Sequence, residues 1–339
     1  MRRDVIVIGT SAGGIEALRA LVKQLPAGFP ASISVVMHTA PESPGVLDEI
    51  LKRAGRLPAV IPKDRERMVP GHIYVAPPDH HLLLEPCILR VTKGPKENRF
   101  RPAVDPLFRS AAQTYGPRVI GVVLTGGLDD GTAGLWAIKR LGGIAVVQDP
   151  EDALVPSMPR NALSYVKVDY CVPLEEIAPL LVHLTSQRVV EEGEYKVPEE
   201  MDIEINIARD GHALESGILK LGEPSIFACP ECHGVLLQLK EENRTRYRCH
   251  TGHAYSADSL LADISEKVGE TLWSAVRALE EGALLMRHIA DHLGGSQNGA
   301  IAETFIRKAN DAQRRANTVR TAAIEHEELS RDTVLEAQE

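Results

Sequence analysis

The chain predicts an α/β fold with a doubly wound, mostly parallel sheet, followed by a small zinc-bound β module and an α-helical hairpin. Three observations lead there. Near-continuous apolar runs such as VIGVVL at 119–124, lacking polar alternation, mark strands buried on both faces. In the first half these runs alternate with segments of helical periodicity, as in parallel sheets joined by crossover helices. After residue 187 the alternation stops, and a Cys/His-rich segment and long helical periodicity follow.

In chain order, Val5–Ile8 reads as a strand, and 13–25 as a helix with Ile15, Leu18, Leu21, Val22 and Leu25 on one face. A second strand is predicted at Ile33–Met37 and a second helix at 45–54. Further strands are expected at 73–76, 82–84, 119–124, 145–148 and 170–172, completing a domain over residues 1–187. Residues 188–224 are acidic and mixed, and read as a linker with one short strand. A Cys/His module occupies 225–255.

From Ser256, which suits an N-cap, apolar residues from Leu260 to Leu293 recur every three or four positions, and Gly294-Gly295 suits a stop. Ile301, Phe305, Ala309, Ala312, Ala316, Val319 and Ala323 continue the rhythm. Residues 256–330 therefore predict an antiparallel hairpin, its apolar stripe buried against another copy or against the first domain.

At 339 residues the chain has room for two or three domains, and 44% hydrophobic with 25% charged residues is ordinary globular composition. A net charge of -9 argues against a nucleic-acid surface. No apolar run approaches the roughly 18 residues of a spanning helix, and Arg2-Arg3-Asp4 before VIVIG is too short for a signal peptide, so a cytoplasmic protein is expected. Three of the five cysteines, Cys229, Cys232 and Cys249, cluster with histidines. The lone Cys87 and Cys171 are expected buried as small hydrophobes, in keeping with a reducing compartment.

The chemistry concentrates where strands end. VIVIG runs into Thr10-Ser11-Ala12-Gly13-Gly14 and then a helix, a turn that exposes a serine hydroxyl and aims backbone N–H groups at a developing oxyanion. A dinucleotide-binding loop is the competing reading, but Ser11 stands where its second glycine would be. His38 ends the second strand, and parallel strands deliver their carboxyl ends to one crevice. Asp129 or Asp130, after a third strand, can orient the imidazole; either can also cap the next helix.

The order Ser, His, Asp, together with GTSAGG, VVMHTAP, RPAVDPLFRSAA at 101–112, LTGGLDDGTAG and SMPRNA at 157–162, resembles the catalytic domain of chemotaxis protein-glutamate methylesterases, the CheB family. The resemblance covers residues 4 to 185. It implies Ser11 as nucleophile, His38 as base and Asp130 as acid, with backbone N–H groups of Ala12 and Gly127 at the oxyanion. It also implies hydrolysis of glutamate methyl esters on chemoreceptor helices, with deamidation of specific glutamines, opposite a cognate methyltransferase. Arg101 and Arg160 are candidates for holding an acidic receptor segment. The family's Met-Gly pair is replaced by Gly127-Leu128, its Gln-His-Met by Met37-His38-Thr39, and its usual threonine after the serine by Ala12. The first strand begins at residue 4, so a phosphorylatable receiver domain ahead of it is not expected.

Cys229 and Cys232 form a C-x-x-C knuckle, and Cys249 with His253 supplies the other half of a tetrahedral structural zinc site; His233 and His250 are alternatives to His253. A full ligand set leaves no open position, so no cofactor is expected for catalysis. Two other readings stand beside the methylesterase: an adaptor or scaffold with a residual hydrolase domain, and a hydrolase of a different ester or amide.

Overall fold

The computed structural model describes residues 2–189, 195–239, 244–293, 299–327 and 329. Its first half alternates β1 (Val5–Thr10), α1 (Gly14–Gln24), β2 (Ser32–Met37), α2 (Leu47–Ala54), β3 (Ala59–Val60), β4 (Glu66–Arg67), β5 (Ile73–Val75), β6 (His81–Glu85) and β7 (Ile88–Thr92). It continues with α3 (Val104–Tyr115), β8 (Val119–Val123), α4 (Thr132–Arg140), β9 (Ile144–Gln148), α5 (Ser157–Tyr165), β10 (Tyr170–Val172) and α6 (Leu174–Ser186). Seven strands form one sheet in the order β10-β9-β8-β1-β2-β5-β3, and every pairing in it is parallel.

Burial on both faces explains the unbroken apolar runs. One face carries Val5, Val7 and Val36 against α3 and α4, through Phe108, Leu107 and Leu135. The other carries Ile6, Ile8, Ile33 and Val35 against Leu18, Leu21, Leu51 and Leu181. The segment predicted at 82–84 is a strand, but it belongs to a separate antiparallel sheet, β4-β7-β6, which packs on α3 through Leu82, Leu83 and Leu84. Its HLLLE run is buried along most of its length for that reason, so composition could not distinguish it from a parallel strand.

Two expectations need correction. Cys87 and Cys171 are exposed. Cys87 sits in the β6–β7 turn with φ 64°, and Cys171 lies on the edge strand β10, where apolar sequence neighbours do not confer burial. The stretch read as a linker contains a helix, α7 (Glu199–Asp210). Five acidic residues dominate its composition, yet Met201, Ile205 and Ala208 join the domain core, and Ile203 and Ile207 join a smaller cluster.

The Cys/His segment forms a four-stranded antiparallel sheet, β11 (Gly222–Ala228), β12 (Val235–Leu239), β13 (Arg246–Cys249) and β14 (Ala254–Ser256). The chain then enters α8 (Ala257–Leu293) and α9 (Gly299–Ile324). Ser256 caps α8 as expected, its Oγ accepting the Ser259 N–H at 2.9 Å. Residues 1–260 form one compact unit and those from 261 on a second.

Within the second unit the helices run antiparallel, tied by Glu280–Arg320 and by Ser265 O accepting from the His326 ring at 2.8 Å. Their buried seam is heptad-spaced and small: Val276, Ala283 and Ala290 on α8, with Ala302, Ala309, Ala316 and Ala323 on α9. Ile264, Val268 and Ile301, expected in the buried stripe, are exposed, because alanines bring the two backbones close and leave the bulkier chains outside. Gly294 and Gly295 lie outside the described residues.

Candidate active site

Three parallel strands end at one edge and deliver the site. β1 ends at Thr10, and Ser11 follows, its N–H bonded to Thr125 O at 3.0 Å beyond the end of β8. Gly13 then adopts φ 77°, which lets the chain turn into α1. Gly126 is needed for a different reason: a Cβ there would stand 2.2 Å from Met158 Sδ and 2.8 Å from Ser11 Cβ. β2 presents His38, whose backbone N–H reaches Thr10 O at 3.2 Å.

Ser11, Ala12 and His38 line one cavity of about 640 Å³, together with Lys96, Arg99, Phe100 and Arg101. His38 Nε2 lies 2.7 Å from Asp130 Oδ2, with both side chains buried. The imidazole stacks flat on Phe100, with centroids 3.7 Å apart and planes 7° from parallel. Its second nitrogen, Nδ1, is buried and makes no hydrogen bond among the described residues. An ionised Asp130 requires the proton on Nε2, so Nδ1 is the basic nitrogen.

Asp130 is held by a dense set of donors. Its Oδ2 also accepts the Val104 N–H at 2.7 Å. Its Oδ1 accepts Asn98 Nδ2–H at 2.9 Å, Gly131 N–H at 2.9 Å and Asp105 N–H at 3.2 Å. Burial by itself pushes this carboxyl up, but the bond to His38 and these donors outweigh it and hold it below the usual carboxylate range. Asp105 goes the other way, to about 6, because it is buried beside the Asp130 charge. In the first turn of α4, which starts at Thr132 behind Gly131, the side-chain acceptor is Asp105, whose Oδ1 takes the Gly134 N–H at 2.6 Å, while Asp130 reaches only the Gly131 N–H before the helix.

The remaining expected residues divide. The Ala12 and Gly127 N–H groups make no hydrogen bond among the described residues, leaving both donors open. Arg101 lines the cavity, but its guanidinium is held by Asp79 at 2.6 Å and by Gly94 O at 2.8 Å. Arg160 is exposed 3.8 Å from Glu151 and is not among the cavity-lining residues. Leu128 holds φ 61°, left-handed backbone that disfavours a branched side chain. Asn98 and Phe100 were missed in the sequence; their roles arise from contacts with His38 and Asp130, more than thirty positions away, and no local spacing signals them.

The Cys/His module also assembles. Cys229, Cys232, Cys249 and His253 bring four ligand atoms within 4.8 Å of one another. Cys232 Sγ stands 3.6 Å from Cys249 Sγ, and His253 Nδ1 stands 3.5 Å from Cys249 Sγ and 3.7 Å from Cys229 Sγ. A tetrahedron with zinc–sulfur bonds of 2.3 Å has edges of about 3.8 Å, so the donor set fits that ion. His250 packs instead against Gly234, where its ring carbon would lie 2.3 Å from an added Cβ.

A model of the CheB methylesterase family matches residues 6–181. The chain is 40% identical over 185 residues to a Leptospira interrogans protein provisionally named a protein-glutamate methylesterase/protein-glutamine glutaminase, covering 54% of this chain and 96% of that one. It is 40% identical over 184 residues to protein-glutamate methylesterase/protein-glutamine glutaminase 2 of Anaeromyxobacter dehalogenans, covering 54% of each. The crystal structure of the Thermotoga maritima CheB methylesterase catalytic domain superposes with a TM-score of 0.53 at 34% identity, over 54% of this chain and all of that one. No helix among the described residues is long and apolar enough to cross a membrane. The chain belongs to the CheB methylesterase family.

Proposed function

We propose that this protein is a serine hydrolase that removes methyl esters from glutamate side chains of chemoreceptor helices, using Ser11, His38 and Asp130. The observation that carries the reading is the His38–Asp130 contact, 2.7 Å long and buried, in the wall of the cavity that Ser11 also lines. Ser11 Oγ attacks the ester carbonyl while His38 Nδ1 takes its proton. Charge on the carbonyl oxygen is met by the Ala12 and Gly127 N–H groups. The imidazolium, steadied by Asp130, returns the proton to the leaving methoxide, and methanol departs. Water activated by the same nitrogen then clears the acyl-enzyme. Glutamine deamidation follows the same course with ammonia leaving. Such a substrate places the reaction in the cytoplasm, opposite a methyltransferase.

Cys229, Cys232, Cys249 and His253 would hold a structural zinc that clamps β11, β12 and the β13–β14 turn. Methanol release from methylated receptor tests the main reading, with Ser11→Ala as control; wild-type release no faster than the variant's would end it. A second reading, an adaptor with a residual hydrolase domain, draws on Leu128 at φ 61°, beside the proposed oxyanion donor. Fast fluorophosphonate labelling of Ser11 would exclude it.

A further inference from the structure

Asn98 lies between the catalytic domain and the Cys/His module, and its two ends serve different sides. Its Nδ2 donates to Asp130 Oδ1 at 2.9 Å and to Asp105 Oδ2 at 3.0 Å. Its Oδ1 accepts the Ser256 N–H at 3.0 Å and the Ser259 hydroxyl at 3.2 Å. A flipped amide would set its oxygen against two carboxylates and its N–H groups against two donors, so Ser256 at the end of β14 and Ser259 in the first turn of α8 orient it. Asn98 is 4% exposed, and these four contacts are all to protein groups.

The surrounding contacts make this a built junction. β14 runs alongside residues 96–98: Asn98 N–H donates to Ala254 O at 2.8 Å and Ala254 N–H to Lys96 O at 3.2 Å. Ala254 directly follows His253, one of the four clustered ligands. Asp129, next to the catalytic acid, accepts the Ser256 hydroxyl at 2.7 Å and is paired with Arg244. Lys96 pairs with Glu231 of the C-x-x-C knuckle at 2.6 Å.

We propose that Asn98 is a positioning residue for Asp130, and that docking of the Cys/His module, acting through Ser256 and Ser259, sets the reactivity of Ser11. The inference rests on the triad reading above. Without the module, the Asn98 amide loses the acceptor contacts that fix it, Asp130 faces Asp105 with no shared donor between them, and the carboxylate that aligns His38 shifts.

The test is the rate of fluorophosphonate labelling at Ser11 in the full chain, resolved into a binding constant and a maximal rate, with melting temperature and zinc content measured on the same samples. Ser259→Ala is expected to lower the maximal rate about tenfold, the worth of one hydrogen bond to the aligning group, with binding constant and zinc content unchanged and only a small fall in melting temperature from the lost bonds to Ser256. Ser259→Thr, which keeps the hydroxyl, is expected to restore it. Arg244→Ala, which loosens the module at Asp129 without touching Asn98, is expected to slow labelling in the same direction. Wild-type rates in both alanine variants would overturn the proposal. So would a fall in rate that tracks melting temperature and is not rescued by threonine. If wild-type protein is not labelled at Ser11, the triad reading itself fails, and the proposal with it.

Discussion

Asp129 and Asp130 are adjacent in the chain yet serve different partners: Asp130 Oδ2 holds His38 Nε2 at 2.7 Å, while Asp129 Oδ1 takes the Ser256 hydroxyl at 2.7 Å. One carboxylate contacts the imidazole of the proposed triad and its neighbour contacts the following module. Replacing each by asparagine separates these roles. Asp130→Asn removes the charge that stabilises the imidazolium and selects its tautomer, and is expected to lower fluorophosphonate labelling by about 10³–10⁴-fold. Asp129→Asn is expected to cost no more than about tenfold. Equal losses in the two variants would contradict the assignment.

Phe100 covers one face of the His38 ring at 3.7 Å and confines its rotation. Phe100→Ala is expected to reduce labelling about tenfold by freeing the imidazole, with melting temperature nearly unchanged because the ring sits at the cavity wall. Phe100→Tyr keeps the stacked face and is expected to keep the rate. An unaffected alanine variant would show that Asp130 alone aligns the base.

The metal prediction turns on which histidine completes the site. Elemental analysis is expected to find about one zinc per chain, retained in His250→Ala and lost in His253→Ala, since among the described residues only His253 joins the three sulfurs. Chelation is expected to lower the melting temperature, because the ion would tie the Cys229–Cys232 knuckle to Cys249 and His253 across the module. Full zinc content in His253→Ala would reassign the fourth ligand.

A buried ion cluster joins the module to the catalytic domain. Glu97 pairs with Arg109 and with Arg248 at 2.9 Å, and Glu204 pairs with Arg248 at 2.8 Å and Arg246 at 2.6 Å. All five side chains are less than a tenth exposed. Glu97→Gln strands buried guanidinium charge and is expected to destabilise the protein by about 3–5 kcal/mol, measured by denaturant unfolding. A loss under about 1 kcal/mol would mean that water replaces the lost charge.

The same cluster sets an acid limit. Burial alone raises the Glu97 and Glu204 carboxyls, but the arginines outweigh it and hold both below the ordinary value of 4.5. Their stabilisation is therefore complete above that pH and is lost as pH falls through the lower folded values; Asp130 acts in the same sense. Asp105 has the opposite sign: raised from 3.8 to about 6, its contribution is present below the lower figure and lost as pH rises through the upper one. Calorimetry should show melting temperature falling steeply below pH 4.5, with a shallower loss from 3.8 to about 6. A level melting temperature below pH 4.5 would show that the cluster contributes nothing.

Strand and helix alternation was legible because burial on both faces leaves unbroken apolar runs such as VIVIGT and VIGVVL, and Ser11 and His38 stood out because each directly follows one. The helix α7 escaped notice because its acidic residues mask an apolar spacing that matters only once Glu204 meets three arginines from other elements. Arg101 looked available to a substrate until the fold placed Asp79 beside it.

By itself the sequence determined the parallel sheet, the Ser11 turn, the His38 strand end and the Cys/His ligand spacing, since each depends on residues close together in the chain. Tertiary structure alone decided that Asp130 meets His38 Nε2 and leaves Nδ1 without a hydrogen bond among the described residues, that Phe100 stacks on the ring, and that Asn98 ties Asp130 to Ser256 and Ser259. Those relationships join residues up to 161 positions apart, and only the packing of the module against the sheet edge brings them within hydrogen-bond reach.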